Sequence, residues 1–482
     1  MSFAPLGLRY HPTSNSMTSP SPVHHGKLNV FQRLMLQWSE LHPYNAVHVY
    51  KIARCLAPET FRESLRATCQ AEGLGIVRLA PDGKTFCHLV DEWPEVTVLS
   101  DAIASDTILS QVISAELNRS FQRPAGKPWH FTLVDAGATS HYVVLTYDHW
   151  VADSTSARMF ARHVLDRYLQ WNLEEDQPFL NLNPDTYRKT FPQQTALANL
   201  VRTAAHSLRQ LQHDRRAAQL TYSLSHHGEV GFDLYRTAPQ SVDRLRHYAR
   251  NLGATVHDVI LAALGLAIAR VLPRRPLRPQ PPLTLGTIVD VRGESSHNLD
   301  HTLGLYLGNY LVRLAGDAKM SLADATRYVA AATAPAKARR AYFDSLVSMK
   351  AASAAWAMLS MRWKRHFYPT FMPLTAGISN VVAREAWLTE ATEITEYFRG
   401  ASTGPMTPLV LSPTTLNGAM NLGVTYRLAG FSQQKLSNLM AQLLEMLEDP
   451  AGNCSPRLDR KGRQTGSRRV EIERQVVTAI AG

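Results

Sequence analysis

Two spacings of apolar residues alternate along this chain and outline its elements. In "LNVFQRLMLQWSELH" Val30, Leu34, Leu36, Trp38 and Leu41 recur at roughly helical spacing, which predicts a first helix. "NAVHVYKIARCL" alternates and is β-branched, so it predicts a strand. A helix is expected around "ETFRESLRATCQAEG", short strands near "IVRLAP" and "TFCHLV", and a helix around "TILSQVISAELNRSF". "WHFTLVDAGATSHYVVLTYDH" reads as two strands joined by a turn of small residues, Asp135 to Ser140. "STSARMFARHVLDRYLQW" then reads as an amphipathic helix burying Met159, Phe160, Val164 and Leu165. Asp153, Ser154 and Thr155 are suitable N-cap residues for it.

The later half repeats the mixture. "ATVHDVILAALGLAIARVL" is apolar around nearly its whole circumference and should be a buried helix. Thr255 is its expected N-cap, with Asp258 at the capping-box position. Strands are expected at "PLTLGTIVDVRGE", "GLYLGNYLVRL", "TAGISNVV", "MTPLVLSPTTL" and "GAMNLGVTYRL", before a final helix "SQQKLSNLMAQLLEMLED". Helices and strands mix without the regular alternation of a doubly wound sheet. The expectation is therefore an α/β (α+β) molecule of two lobes with largely antiparallel sheets. A length of 482 residues suits two such lobes. The reading divides the chain into a disordered arm (1–26), a first lobe (27–190), a polar connector (191–220), a second lobe (221–450) and a basic mobile tail (451–482).

Composition narrows the function classes. With 45% hydrophobic and 19% charged residues the chain is that of a soluble globular protein. No run of about 18 apolar residues is present, and the N-terminus lacks a signal-peptide core. Cys55, Cys69, Cys87 and Cys454 are scattered and read as reduced thiols in a cytoplasmic protein. The net charge of +11 owes much to "RLDRKGRQTGSRRVEIERQ". No nucleic-acid motif accompanies it, so nucleic acid is not an expected partner. An acidic carrier protein or a phosphate-bearing cofactor accounts for the charge equally well.

Candidate chemistry centres on "TYDHWVADS", where His149 and Asp153 stand four residues apart between strand and helix. With 19 histidines, such a spacing arises by accident on the order of once, so the bare pattern is weak. Asp153 could simply cap the helix, and His149 could be a satisfied histidine at a strand end. His226 and His227 lack a third ligand at useful spacing and read as loop residues, and His24 and His25 fall in the arm. No metal site is expected. "KARRAYFDSLVSMKAASAAWAMLSMRWKRHFYPTFMP" reads as helix packed within the second lobe. The sharper alternative is a basic amphipathic surface for a membrane interface or an acidic acyl-carrier protein.

Taken in order, these segments resemble the chloramphenicol-acetyltransferase-like acyltransferases, especially the condensation domains of nonribosomal peptide synthesis and the bacterial wax ester synthases. "LNVFQRLML" resembles the family's opening helix, and "FQRPAGKPWHFTLV" the segment before the motif strand. "DHWVADS" matches the H-H-x-x-x-D-G motif at its second histidine, His149, and at its aspartate, Asp153. "GTIVDVRGE" with "LGLYLGNYLVR" is similar to the arginine-bearing strand and the strand after it. "GISNVV" with "NGAMNLGVTYRLAGFS" is similar to the Ser-Asn segment. The chain departs from the pattern at Asp148, where the first histidine is usual, and at Ser154, where glycine is usual.

The resemblance implies two lobes with an active-site channel between them. His149 would be general base and Asp153 an orienting residue paired with Arg292. Trp150, Ser154, Ser379 and Asn380 would line the substrate site, although Asn380 could equally serve a turn. No tightly bound cofactor is implied. The donor would be a phosphopantetheine thioester, on a carrier protein or coenzyme A, and the acceptor a small alcohol or amine. Without a G-x-S-x-G nucleophile elbow or a reactive cysteine context, direct transfer without an acyl-enzyme is expected. A monomeric, free-standing condensation-type acyltransferase of natural-product biosynthesis is the leading reading. A lipid O-acyltransferase of the wax-ester or diacylglycerol type with peripheral membrane contact, and an inactive homologue that binds an acyl carrier, are the alternatives.

Overall fold

The computed structural model describes residues 24–452, apart from 75, 81–82, 90–91, 100–104, 122–126, 138, 171–180, 183–186, 193–217, 219–228, 273–279 and 391. Almost all of the expected connector, the basic tail beyond residue 452, Cys454, and the side chains of His226 and His227 lie outside the described residues.

The first lobe is built on a five-stranded sheet. Strand Asn45–Ile52 pairs antiparallel with His141–Asp148, and that strand pairs antiparallel with Trp129–Asp135. Glu95–Leu99 closes one edge in parallel. All three inner strands are buried along nearly their whole length because helices and the second lobe cover both faces. Helices Pro58–Glu72 and Ser154–Leu169 pack against each other and supply Phe61, Leu65, Phe160, Val164 and Leu165 to the core.

The second lobe carries a seven-stranded mixed sheet. Its antiparallel pairs include Leu283–Asp290 with Leu307–Leu314 and Leu409–Leu416 with Ala419–Arg427. The short strand Ala376–Ile378 sits between them in parallel. Behind this sheet lies helix Val256–Val271, buried without interruption from Asp258 to Ala269, as its all-round apolar sequence requires. Thr255 and Asp258 form the expected reciprocal capping box.

Two elements differ from the sequence reading. Residues 24–26, assigned to a disordered arm, begin a strand, His24–Lys27, that pairs with Thr85–Leu89. Four residues give too short a pattern to reveal a strand whose partner lies sixty positions on. The second difference is larger. Strand Ile394–Ala401 belongs by sequence to the second lobe, yet it completes the open edge of the first lobe's sheet beside Asn45–Ile52. This crossover strand also lies against Gly423, where a Cβ would stand 2.0 Å from the carbonyl oxygen of Arg399. Gly423→Ala should displace the crossover strand and lower stability by about 1–3 kcal/mol, the usual penalty of overpacking. A denaturant midpoint unchanged from wild type would contradict that.

The basic aromatic segment forms two helices with different surroundings. Ser345–Met358 packs inward through Leu346, Met349, Ala352 and Trp356. Met361–Phe371 buries only Tyr368 and leaves Trp363 65% exposed. The packed reading therefore holds for the first helix and fails for the second. Among the described residues no single helix is long and apolar enough to cross a membrane, and no cluster suited to a metal ion is present.

Candidate active site

The motif strand ends at Asp148, and the chain turns sharply through His149 to Ala152 before the next helix starts. Asp153 is the N-cap of that helix, and its Oδ1 accepts from the Ser156 amide at 2.8 Å. The same carboxylate faces Arg292 in a bidentate pair, 2.7 Å from Nη1 and 2.9 Å from Nη2, and accepts from the Tyr306 amide at 2.9 Å. Asp153 thus caps a helix in one lobe while it ties down Arg292 and Tyr306 from the other. Burial pushes the Asp153 carboxyl up, but the Arg292 guanidinium and the two amides hold it below the ordinary aspartate value. The Arg292 guanidinium also rests over the Tyr306 ring, 4.8 Å from its centroid, and touches Asp290 and Ser156.

With the turn fixed, the His149 imidazole is set in a defined orientation. Its ring stacks on Tyr44 at 5.6 Å and meets the edge of Tyr147 at 5.7 Å. Nδ1 lies 3.0 Å from the Ala152 carbonyl oxygen. A carbonyl can only accept, so Nδ1 carries the proton and Nε2 keeps its lone pair. Burial pulls the His149 pKa below its ordinary value, which keeps the ring neutral.

His149 lines a cavity of about 130 Å³ between the lobes. Phe31, Met35, Trp38 and Tyr44 form one wall, while Gly286, Ile288, Leu374 and Ile378 form another. A second cavity of about 250 Å³ lies beside the first and shares Trp38, Asn309, Met349, Leu374 and Met406 with it as wall residues. Ser154 and Ser379 are on the wall of the His149 cavity. Trp150 is not. It is buried in the core, edge-on to Phe86, and its carbonyl accepts from Gln32. The large apolar indole finds more contact there than on a cavity wall. Asn380 also stands off the wall, half-buried in the two-residue link between strands Ala376–Ile378 and Val381–Val382, and Asp148 is buried away from it.

Ser154, the residue in place of glycine, is the first residue of the helix and has no left-handed backbone. Its hydroxyl accepts from two guanidiniums, Arg158 Nη1 and Arg399 Nη1, each at 3.0 Å. Neither arginine stood out in the sequence, and neither did His48. His48 is buried between the hydroxyls of Tyr397 (2.8 Å) and Tyr147 (3.3 Å) and lines the same cavity. Burial holds it well below the ordinary histidine value, so it is neutral. A lone cation in the strand "ITEYFRGA" was the one available signal for Arg399.

Comparison with solved structures places this architecture among known folds. The first condensation domain of the calcium-dependent antibiotic synthetase, solved with a substrate analogue, aligns with a TM-score of 0.66 at 15% identity, covering 89% of this chain and 97% of that one. The cyclization-docking bidomain of EpoB from Sorangium cellulosum aligns with a TM-score of 0.63 at 14% identity, covering 88% and 83%. The starter condensation domain of rhizomide synthetase, solved with C8-CoA and Leu-SNAC, gives 0.61 at 14% identity, covering 88% and 94%. At such identities the likeness is one of fold, the two-lobed chloramphenicol-acetyltransferase-like architecture. A comparison with curated proteins returns no match. The family model described as "Condensation domain" matches residues 24–355, more than half of the sequence. Mixed sheets in two lobes and that match agree: the chain belongs to the condensation domain family, a family of acyl- and peptidyl-transferring enzymes.

Proposed function

We propose that this protein is an acyltransferase that moves an acyl group from a phosphopantetheine thioester to a hydroxyl or amine, with His149 as general base. The tautomer of His149 carries the reading: a neutral ring with Nδ1 engaged and Nε2 free on a cavity wall can take a proton. An acceptor O–H or N–H loses its proton to Nε2 as the heteroatom attacks the thioester carbonyl. The tetrahedral intermediate then collapses, the C–S bond breaks, and the imidazolium returns the proton to the departing thiolate. The Asp153–Arg292 pair takes no proton and positions the turn. The neighbouring larger cavity offers room for the thioester arm on one side of the His149 cavity. A carrier protein or coenzyme A would bear that arm.

The test is incubation with acyl thioesters and panels of alcohols and amines, with products read by mass. Because burial lowers the His149 pKa, the neutral base persists as the solution is acidified. The acid limb of kcat/KM for an alcohol acceptor should therefore fall below about pH 6.5, the unperturbed histidine value. A limb above it, or no acyl transfer to any member of either panel, counts against the reading. Apolar walls and the exposed Trp363 favour lipid alcohols as the second acceptor class, for which long-chain alcohols in the panel are diagnostic.

A further inference from the structure

Among the described residues no carboxylate forms an ion pair with the buried cation Arg399. It is 3% exposed and lines the same cavity as His149. Nη1 donates to the Ser154 hydroxyl (3.0 Å) and Nη2 to the Ser379 carbonyl (2.7 Å), both neutral acceptors. Nε is buried and has no acceptor among the described residues. The carboxylates nearby are committed elsewhere. Glu385 accepts from Arg158 Nε at 2.7 Å and from the Arg384 amide at 2.9 Å, and Asp153 is held by Arg292. The other titratable neighbours, Tyr50, Tyr147, Tyr397 and His48, are kept neutral by burial. Two guanidiniums therefore meet on Ser154 with one carboxylate between them, and the excess positive charge rests on Arg399. Burial pulls even its pKa down.

Such a charge is strongly unfavourable out of water, and a guanidinium does not relieve it by losing a proton. An anion can. The planar fork of N–H groups matches a carboxylate in particular. We propose that Arg399 receives a substrate carboxylate in the His149 cavity, so that one of the two substrates of the transfer is an acid. This rests on the reading that acyl transfer takes place there. The carboxylate can belong to the acceptor, an amino or hydroxy acid, or to the donor, an acyl thioester ending in a second carboxylate. A polycationic acceptor is disfavoured at the same position.

The experiment compares matched pairs on the full chain. Acceptors are 3-phenyllactate and phenylalanine against their carboxamides, with octanoyl-coenzyme A as donor. Donors are glutaryl- against butyryl-coenzyme A, with a neutral alcohol as acceptor. Binding of N-octanoylglycine against N-octanoylglycinamide is measured by calorimetry in parallel and needs no turnover. In one arm the acid should be favoured by roughly 10- to 100-fold, the usual worth of a charge-assisted pair. The arm that responds names the substrate. Arg399→Met should bring the acid-to-amide ratio close to one in both turnover and binding, and Arg399→Lys should retain part of it. The wild-type ratios stand even if Arg399→Met fails to fold. Carboxylate-selective binding without transfer would keep Arg399 as a carboxylate site and sink the proposed function, and with it the carboxylate's role as a substrate of the transfer. Transfer with equal use of acid and neutral partners in every arm would keep the function and overturn this assignment.

Discussion

Replacing His149 with alanine should lower acyl transfer by roughly 10²- to 10⁴-fold, the usual contribution of a positioned base. The fold should survive, because the ring is half-buried on a cavity wall and its one hydrogen bond goes to the neighbouring Ala152 carbonyl. Binding of a thioester should change little. The loss should be greater for an alcohol acceptor than for an amine already partly deprotonated, since the amine needs less help. Intact-mass analysis during turnover should find no acyl group on the protein. The three described cysteines support this: Cys69 is buried and pushed up by desolvation, and neither Cys55 nor Cys87 lines the cavity. Wild-type rates in His149→Ala, or a covalent acyl adduct, would exclude the mechanism.

Asp153→Ala should be the most destabilising single change at the site. It removes the helix cap, orphans the Tyr306 amide and leaves Arg292 buried with the partly exposed Asp290 as its one counter-charge among the described residues. Breaking a buried ion pair at one partner typically lowers stability by about 3–5 kcal/mol. A change below about 1 kcal/mol in equilibrium denaturation would show that the pair is dispensable. Its pH dependence has a definite sign. The folded-state pKa of Asp153 is depressed, so the pair's contribution is complete above the unfolded value of about 3.9 and is lost only as pH falls through the lower, folded value. Wild type and Asp153→Ala should therefore differ fully at pH 7 and converge in strong acid. Activity should fall with stability, because the turn that orients His149 hangs on this residue.

Much of the fold could be read from local pattern, and the reasons it failed elsewhere are specific. The helix at 256–271 declares itself through a capping box and an unbroken apolar surface. The strand ending at Asp148 alternates and is followed by a capped helix, so the motif could be placed at a strand–helix junction. Arg292 was within reach because its partner Asp153 belongs to a motif. Arg399 was not, because Phe398 of its strand pairs with Val49, and nothing local announces a partner so distant in sequence. His48 sits mid-strand among apolar residues, where a satisfied core histidine is the ordinary reading. Trp150 erred in the other direction: adjacency to His149 suggested a shared surface, whereas the turn sends the indole into the core.

The crossover strand also bears on how the chain folds as it is made. Until residues 394–401 have been synthesised, strand Asn45–Ile52 has an unsatisfied edge, rich in Val47, Val49 and Tyr50. Tyr397 of the crossover strand follows His48 of its partner by 349 positions, and all of that chain must emerge before this sheet can close. Pairing over so long a separation is slow, and an apolar open edge is adhesive while it waits. Chains truncated before residue 394 should therefore aggregate more readily than the full chain, because they keep that apolar edge open.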